Sequence, residues 1–147
     1  MSDENKTLAQ EVPYPFQAHL GFKITEWQSD FCRLEIPLEP FLMNRYGIPH
    51  GGLHATLLDT VMGYSCCYTD DPAHPKFVAT LSLNVQYLAQ SEGRCLYAEG
   101  RRTGGGRKTS FAEGRVTDDT GLLVATGTAV FKHRTNQINL NTTKRTV

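Results

Sequence analysis

The chain has 147 residues, enough for one domain around a single core. Its 15 Lys and Arg balance its 15 Asp and Glu, so no broad field draws it to nucleic acid or to an anionic membrane. No apolar run approaches the ~20 residues of a membrane span. The start, Met1-Ser2-Asp3-Glu4-Asn5-Lys6, is polar and acidic, unlike a secretory signal. Cysteines 32, 66, 67 and 95 form no C-x-x-C pair and fit free thiols in a reducing cytoplasm.

In chain order, residues 1–12 read as a loose polar lead, and Pro13-Tyr14-Pro15-Phe16 as a turn into a short helix. Phe22, Ile24 and Glu26-Trp27 suggest a first strand and Phe31 to Ile36 a second, with Gln28-Ser29-Asp30 as their turn. Pro37 and Pro40 end that pair and launch a loop toward Asn44. After a break at residues 70–75, Phe77, Ala79, Leu81, Leu83, Val85 and Tyr87 alternate with mostly polar neighbours, predicting a strand with one buried face. Three more strands follow, over residues 94–102, 107–117 and 122–133, with turns at 103–106 and 118–121. Residues 134–147 carry no core pattern and are expected to be a flexible tail. Short connections between successive strands imply an antiparallel sheet, and the class is α+β in one domain with its core at about 14–133.

Between the two groups of strands lies the stretch that concentrates the chemistry. Gly51-Gly52 opens a run in which Leu53, Leu57, Leu58, Val61, Met62, Cys66 and Cys67 recur at helical spacing up to Tyr68. The run is apolar almost all round, which predicts a buried helix. Asp59 within it is costly unless paired, and it is too far in to cap the start. The two glycines leave backbone N–H groups open at the positive end of the helix dipole, where a carboxylate, phosphate or developing oxyanion can bind. Gly52 and Asp59 share a face but stand roughly 10 Å apart along the axis. One carbonyl cannot touch both. Two antiparallel helices in a two-fold dimer would bring Gly51 of one chain to Asp59 of the other.

The segment Asn44-x-x-Gly47-x-x-His50-Gly51-Gly52 followed by Leu57-x-Asp59 resembles the signature of the PaaI-like thioesterases of hotdog fold. The resemblance extends over Gly21 to His133, through Thr80, Gly106-Arg107-Lys108-Thr109 and Gly121-x-Leu123-Val124-Ala125. It implies an antiparallel sheet wrapped around one long central helix, and homodimers that pair into tetramers with active sites shared between chains. It also implies hydrolysis of an acyl-CoA thioester to free acid and coenzyme A. Asp59 would be nucleophile or general base, and the Gly51 N–H the oxyanion hole. Asn44 and His50 would orient the loop, and Thr80 would help position water or the carboxylate. Thr80 falls opposite the apolar face of its strand, so it needs a bulge or a site on that face.

Gly52, Arg107 and Lys108 are candidate substrate-binding residues, the two cations beside a triple glycine suiting the phosphates of coenzyme A. Without that ligand the same cluster reads as a flexible hairpin with solvated charge. No set of His, Cys and carboxylates has metal-ligand spacing, and no cofactor is expected beyond the coenzyme A of the substrate. His54 reads as structural, and Cys66 and Cys67 as core packing. Two other activities stay open. A non-catalytic acyl-CoA-binding dimer would have no use for Asp59, and a hotdog enoyl-CoA hydratase or dehydratase would require a catalytic His with a differently spaced helix partner.

Overall fold

A computed structural model of the chain describes residues 12–134. Of the loose ends expected at residues 1–12 and 134–147, residues 1–11 and 135–147 lie outside the described residues, while Arg134 ends the last strand, paired with Phe77. Helix α1 spans Pro15–Leu20 and ends at Gly21, whose φ of 91° closes the helix in the left-handed region. Strands β1 (Lys23–Gln28) and β2 (Phe31–Pro37) form the first hairpin. A 3-10 turn at Pro40–Leu42 leads to the long helix α2, Gly51–Cys66. Strands β3 (Phe77–Tyr87), β4 (Cys95–Gly105), β5 (Thr109–Asp118) and β6 (Leu123–Arg134) follow.

All pairings are antiparallel, and the six strands run in the order β1-β2-β4-β5-β6-β3. This is the α+β arrangement that the resemblance implies, a sheet curled around one helix. β3 does not neighbour β4. It lies at the far edge beside β6, and residues 88–94 cross back over the strand ends, with the Leu88 and Ala89 N–H groups both bonded to the Val124 carbonyl. β4 runs three residues past its expected end, to Gly105, which adopts φ 130° and pairs with Ser110.

The core lies between α2 and the inner face of the sheet. Leu57, Leu58, Val61 and Met62 are fully buried against residues such as Leu34, Ile36, Leu96, Val116 and Phe131. Each such side chain contributes about 1.5–3 kcal/mol of burial free energy. Beneath the helix, Gly100, Gly114 and Gly127 stand side by side on β4, β5 and β6. A Cβ on Gly100 would lie 2.5 Å from the Val61 carbonyl, so α2 rests directly on the strand backbone there.

Two expectations are corrected. The helix is not buried all round: Gly52 is exposed and Ala55, Thr56, Asp59, Thr60 and Gly63 are half-buried, because one sheet covers one side only. Its apolar composition hides this stripe, since the stripe is built of small residues whose threonine hydroxyls bond back to helix carbonyls, Thr56 to Gly52 and Thr60 to Thr56. The alternation of β3 also fails as a single pattern. Thr80 pairs with Phe131 and Ser82 with Val130, so Leu81 is an unopposed bulge, left 58% exposed. Val78 and Thr80 before the bulge, and Leu83, Val85 and Tyr87 after it, face α2. No helix among the described residues is long and apolar enough to cross a membrane.

Candidate active site

The loop from Asn44 to His50 is folded by Asn44 itself. Its Oδ1 accepts the Tyr46 N–H at 2.8 Å and the Ile48 N–H at 3.4 Å, an Asx turn. Its own N–H bonds the Ile48 carbonyl, and its carbonyl accepts from Gly47, which adopts φ 74°. A bridge between Met43 and Pro49 closes the base of the loop, and the His50 N–H bonds Leu42.

His50 is the N-cap of α2, its Nδ1 accepting the Gly52 N–H at 2.8 Å. Accepting through Nδ1 leaves the proton of the neutral ring on Nε2, which makes the outer nitrogen a donor. The capping bond occupies Gly52, so the two glycines differ. Among the described residues nothing accepts the Gly51 N–H. Tyr87, which no local pattern marks as more than a strand residue, fixes the other side of that residue by donating its hydroxyl to the Gly51 carbonyl at 2.6 Å. The Tyr87 ring also meets His54 edge to face at 5.8 Å. His54 is buried, with Nδ1 3.3 Å from the His50 carbonyl. Burial lowers its pKa, and the His50 carbonyl opposes that shift.

Two turns along α2, Asp59 sits on the uncovered stripe. Thr80 donates its hydroxyl to Asp59 Oδ1 at 2.7 Å, brought there by the bulge at Leu81. Both residues line a cavity of about 410 Å³ that runs along the second half of α2 to Trp27. Thus Asn44, His50 and Gly51 form one cluster at the helix start, and Asp59 with Thr80 a second. Arg107 and Lys108 belong to neither. They are exposed at the tip between β4 and β5, at the end of the sheet where β6 finishes, whereas Gly51 adjoins the opposite end of β3. Of the four cations in that hairpin, Arg101, itself exposed, lies over the Phe31 ring, and the half-buried Arg102 bonds Ser110. Cys66 is buried, and burial raises its thiol pKa, the behaviour of an inert core thiol. Among the described residues no group of three or more His, Cys, Asp or Glu stands close enough to hold a metal ion.

The thioesterase superfamily profile matches residues 46–125, more than half of the chain, and the protein belongs to that superfamily. Its α+β architecture is the superfamily's hotdog fold. A Mycobacterium tuberculosis protein, Rv1847, provisionally named an esterase, is 23% identical over 117 residues, covering 79% of this chain and 84% of its own. A crystal structure of a thioesterase family protein from Silicibacter pomeroyi superposes with a TM-score of 0.73 at 23% identity, over 89% of this chain and 95% of that one. The BH2602 protein of Bacillus halodurans, crystallised with CoA, gives a TM-score of 0.72 at 25% identity, over 88% and 82%.

Proposed function

We propose that the protein is an acyl-CoA thioesterase of the PaaI-like group, working in the cytoplasm as a homodimer or a dimer of dimers, with no cofactor beyond the coenzyme A of its substrate. The observation that carries this is the Thr80 hydroxyl on Asp59 Oδ1, a carboxylate held in one orientation on the uncovered face of a helix and beside a cavity. Thr80 occupies one oxygen of Asp59, and the other is left to act. As general base, Asp59 takes a proton from water while the water oxygen bonds to the thioester carbon. As nucleophile, it bonds to that carbon itself and water later cleaves the mixed anhydride. In either course the C–S bond breaks, the sulfur leaves as coenzyme A thiolate and takes up a proton, and the acid is released.

The Gly51 N–H, at the positive end of α2, suits the oxyanion that forms in between. Since Gly51 and Asp59 are two helical turns apart in one chain, the Gly51 that serves a given Asp59 comes from a second copy. Two surfaces support such a dimer: the small-residue stripe of α2, and β3, a long edge strand whose outer side has no partner strand among the described residues. The relative crystallised with CoA supports a coenzyme A ester as the substrate. Arg107 and Lys108 are the cations proposed for its phosphates, and Gly52 would act only through the backbone beside it.

The test is release of free thiol from a panel of acyl-CoA esters by wild type and Asp59→Asn. Turnover of at least one ester, with a loss of about a hundredfold or more in the variant, supports the assignment. Wild-type protein that binds coenzyme A and hydrolyses no ester would instead favour a non-catalytic binding dimer.

A further inference from the structure

The cavity beside Asp59 has a shape that the reaction alone does not require. From Asp59 it follows α2 past Gly63, one turn on, and is bounded by Phe131 and by Trp27 with Tyr64. Gly63 lacks the side chain that would fill this space. A Cβ there would already stand 3.4 Å from the Phe131 ring and 3.8 Å from Val78, and anything larger would project along the cavity. Trp27 is a fixed wall. Its indole N–H donates to the Tyr64 carbonyl at 2.8 Å, a last-turn carbonyl that also accepts the Cys67 N–H. Its ring sits edge to face with Tyr64 at 5.1 Å and with Tyr68 at 5.5 Å. Trp27 also lies ahead of the 46–125 segment shared with the superfamily profile, so this wall belongs to the part of the chain that the profile does not describe.

We infer that this cavity holds the acyl chain and that Gly63 and Trp27 set its length, Gly63 by leaving room and Trp27 by closing the far end. The inference rests on the thioesterase reading given above. With the thioester carbonyl at Asp59, the tail runs toward the C-terminal end of α2. Five residues of helix, Asp59 to Tyr64, give a reach of roughly 8 Å. That suits a medium chain of about octanoyl size and excludes a hexadecanoyl chain. Most of the lining beyond Asp59 and Thr80 is apolar or aromatic, with Thr60, Thr69 and Lys76 as the polar exceptions.

Trp27 is the sole tryptophan of the chain, so its emission reports occupancy without any turnover. The probes are butyl-, octyl- and hexadecyl-CoA thioethers, which cannot be hydrolysed, with their binding followed in parallel by calorimetry. Octyl-CoA should shift Trp27 emission and butyl-CoA should not. In turnover, Trp27→Ala should raise the hexadecanoyl-to-octanoyl ratio of kcat/KM by roughly tenfold or more, and Gly63→Leu should lower the octanoyl-to-butanoyl ratio by a similar factor. Trp27→Phe, which keeps a ring, replaces the alanine variant if the latter does not fold, and should move the ratio in the same direction by less. Bound octyl-CoA that leaves Trp27 emission unmoved, or ratios unchanged in folded variants, overturns the assignment even where esters are hydrolysed. A Trp27 response without hydrolysis of any ester keeps the pocket and removes the thioesterase reading. Neither binding nor turnover removes both.

Discussion

The Tyr87 hydroxyl donates to the Gly51 carbonyl at 2.6 Å and so joins the last residue of β3 to the first residue of α2. The Tyr87 ring stands 3.4 Å from where a Cβ on Gly51 would be, so the helix start is held by contact as well as by the hydrogen bond. On the proposed function, Tyr87 is a positioning residue for the Gly51 N–H as oxyanion donor. Tyr87→Phe should keep the ring contact and lose the bond, costing about 0.5–1 kcal/mol in urea unfolding. If the bond aims the Gly51 N–H, kcat should fall several-fold with KM little changed. A purely structural tyrosine would lower stability and leave kcat alone.

On the proposed function, Thr80 is the second positioning residue. Thr80→Val keeps the shape and removes the donor to Asp59 Oδ1. We expect kcat to fall roughly ten- to a hundredfold, with Thr80→Ser recovering most of it because serine retains the hydroxyl. Steady-state kinetics on the best ester of the panel decides this. Equal kcat in Thr80→Val and wild type would mean that Asp59 needs no orienting partner.

How much of this was legible in the sequence varied with the distance over which each signal acts. The loop from Asn44 to Gly52 and the helix carrying Asp59 are local patterns, and the helix starts at Gly51 and ends at Cys66, two residues short of Tyr68. Thr80 was legible as a candidate, but not its orientation. A bulge leaves no mark on composition: Leu81 reads as one more apolar residue in an alternating strand, and only its register against Phe131 and Val130 exposes it. Trp27 and Tyr64 are 37 positions apart, and nothing local to either names the other. The row of Gly100, Gly114 and Gly127 is likewise invisible until three strands are placed in register.

That glycine row gives a stability expectation. Gly100→Ala puts a methyl 2.5 Å from the Val61 carbonyl and 2.7 Å from the Met62 nitrogen, both backbone atoms that cannot turn away. The helix must lift from the sheet, and we expect a loss of about 3 kcal/mol or more. Gly104→Ala, four residues on in the same strand and with nothing within 4 Å of its Cβ, serves as the control and should change stability by no more than about 0.5 kcal/mol. Chemical denaturation of the pair measures the difference. Similar values for both would show that α2 has slack over β4.

Stability should also fall with acid in two separate stages. His54 and His133 have lowered pKa values, His54 through burial, and His133 through burial together with the nearby Arg102 and Lys76 charges. The unfolded chain therefore binds protons at these rings before the folded one does. Their contribution is present above the unfolded histidine value of about 6.5 and is lost as pH falls below it. Asp118 governs a lower window. Burial would raise its pKa, but hydrogen bonds from the Thr120 hydroxyl and from the N–H groups of Glu92, Leu122 and Thr120 outweigh that and hold it well below the ordinary carboxylate range. These bonds tie the link between β3 and β4 to the turn before β6. Folding thus favours ionised Asp118. Its contribution is complete above the unfolded value of about 3.9 and is lost as pH drops further. Melting temperature against pH should decline below about 6.5 and decline again below about 4. Asp118→Asn should flatten the lower limb while costing stability at neutral pH, and His133→Gln should flatten only the upper one. An unchanged lower limb in Asp118→Asn would place the acid sensitivity on another carboxylate.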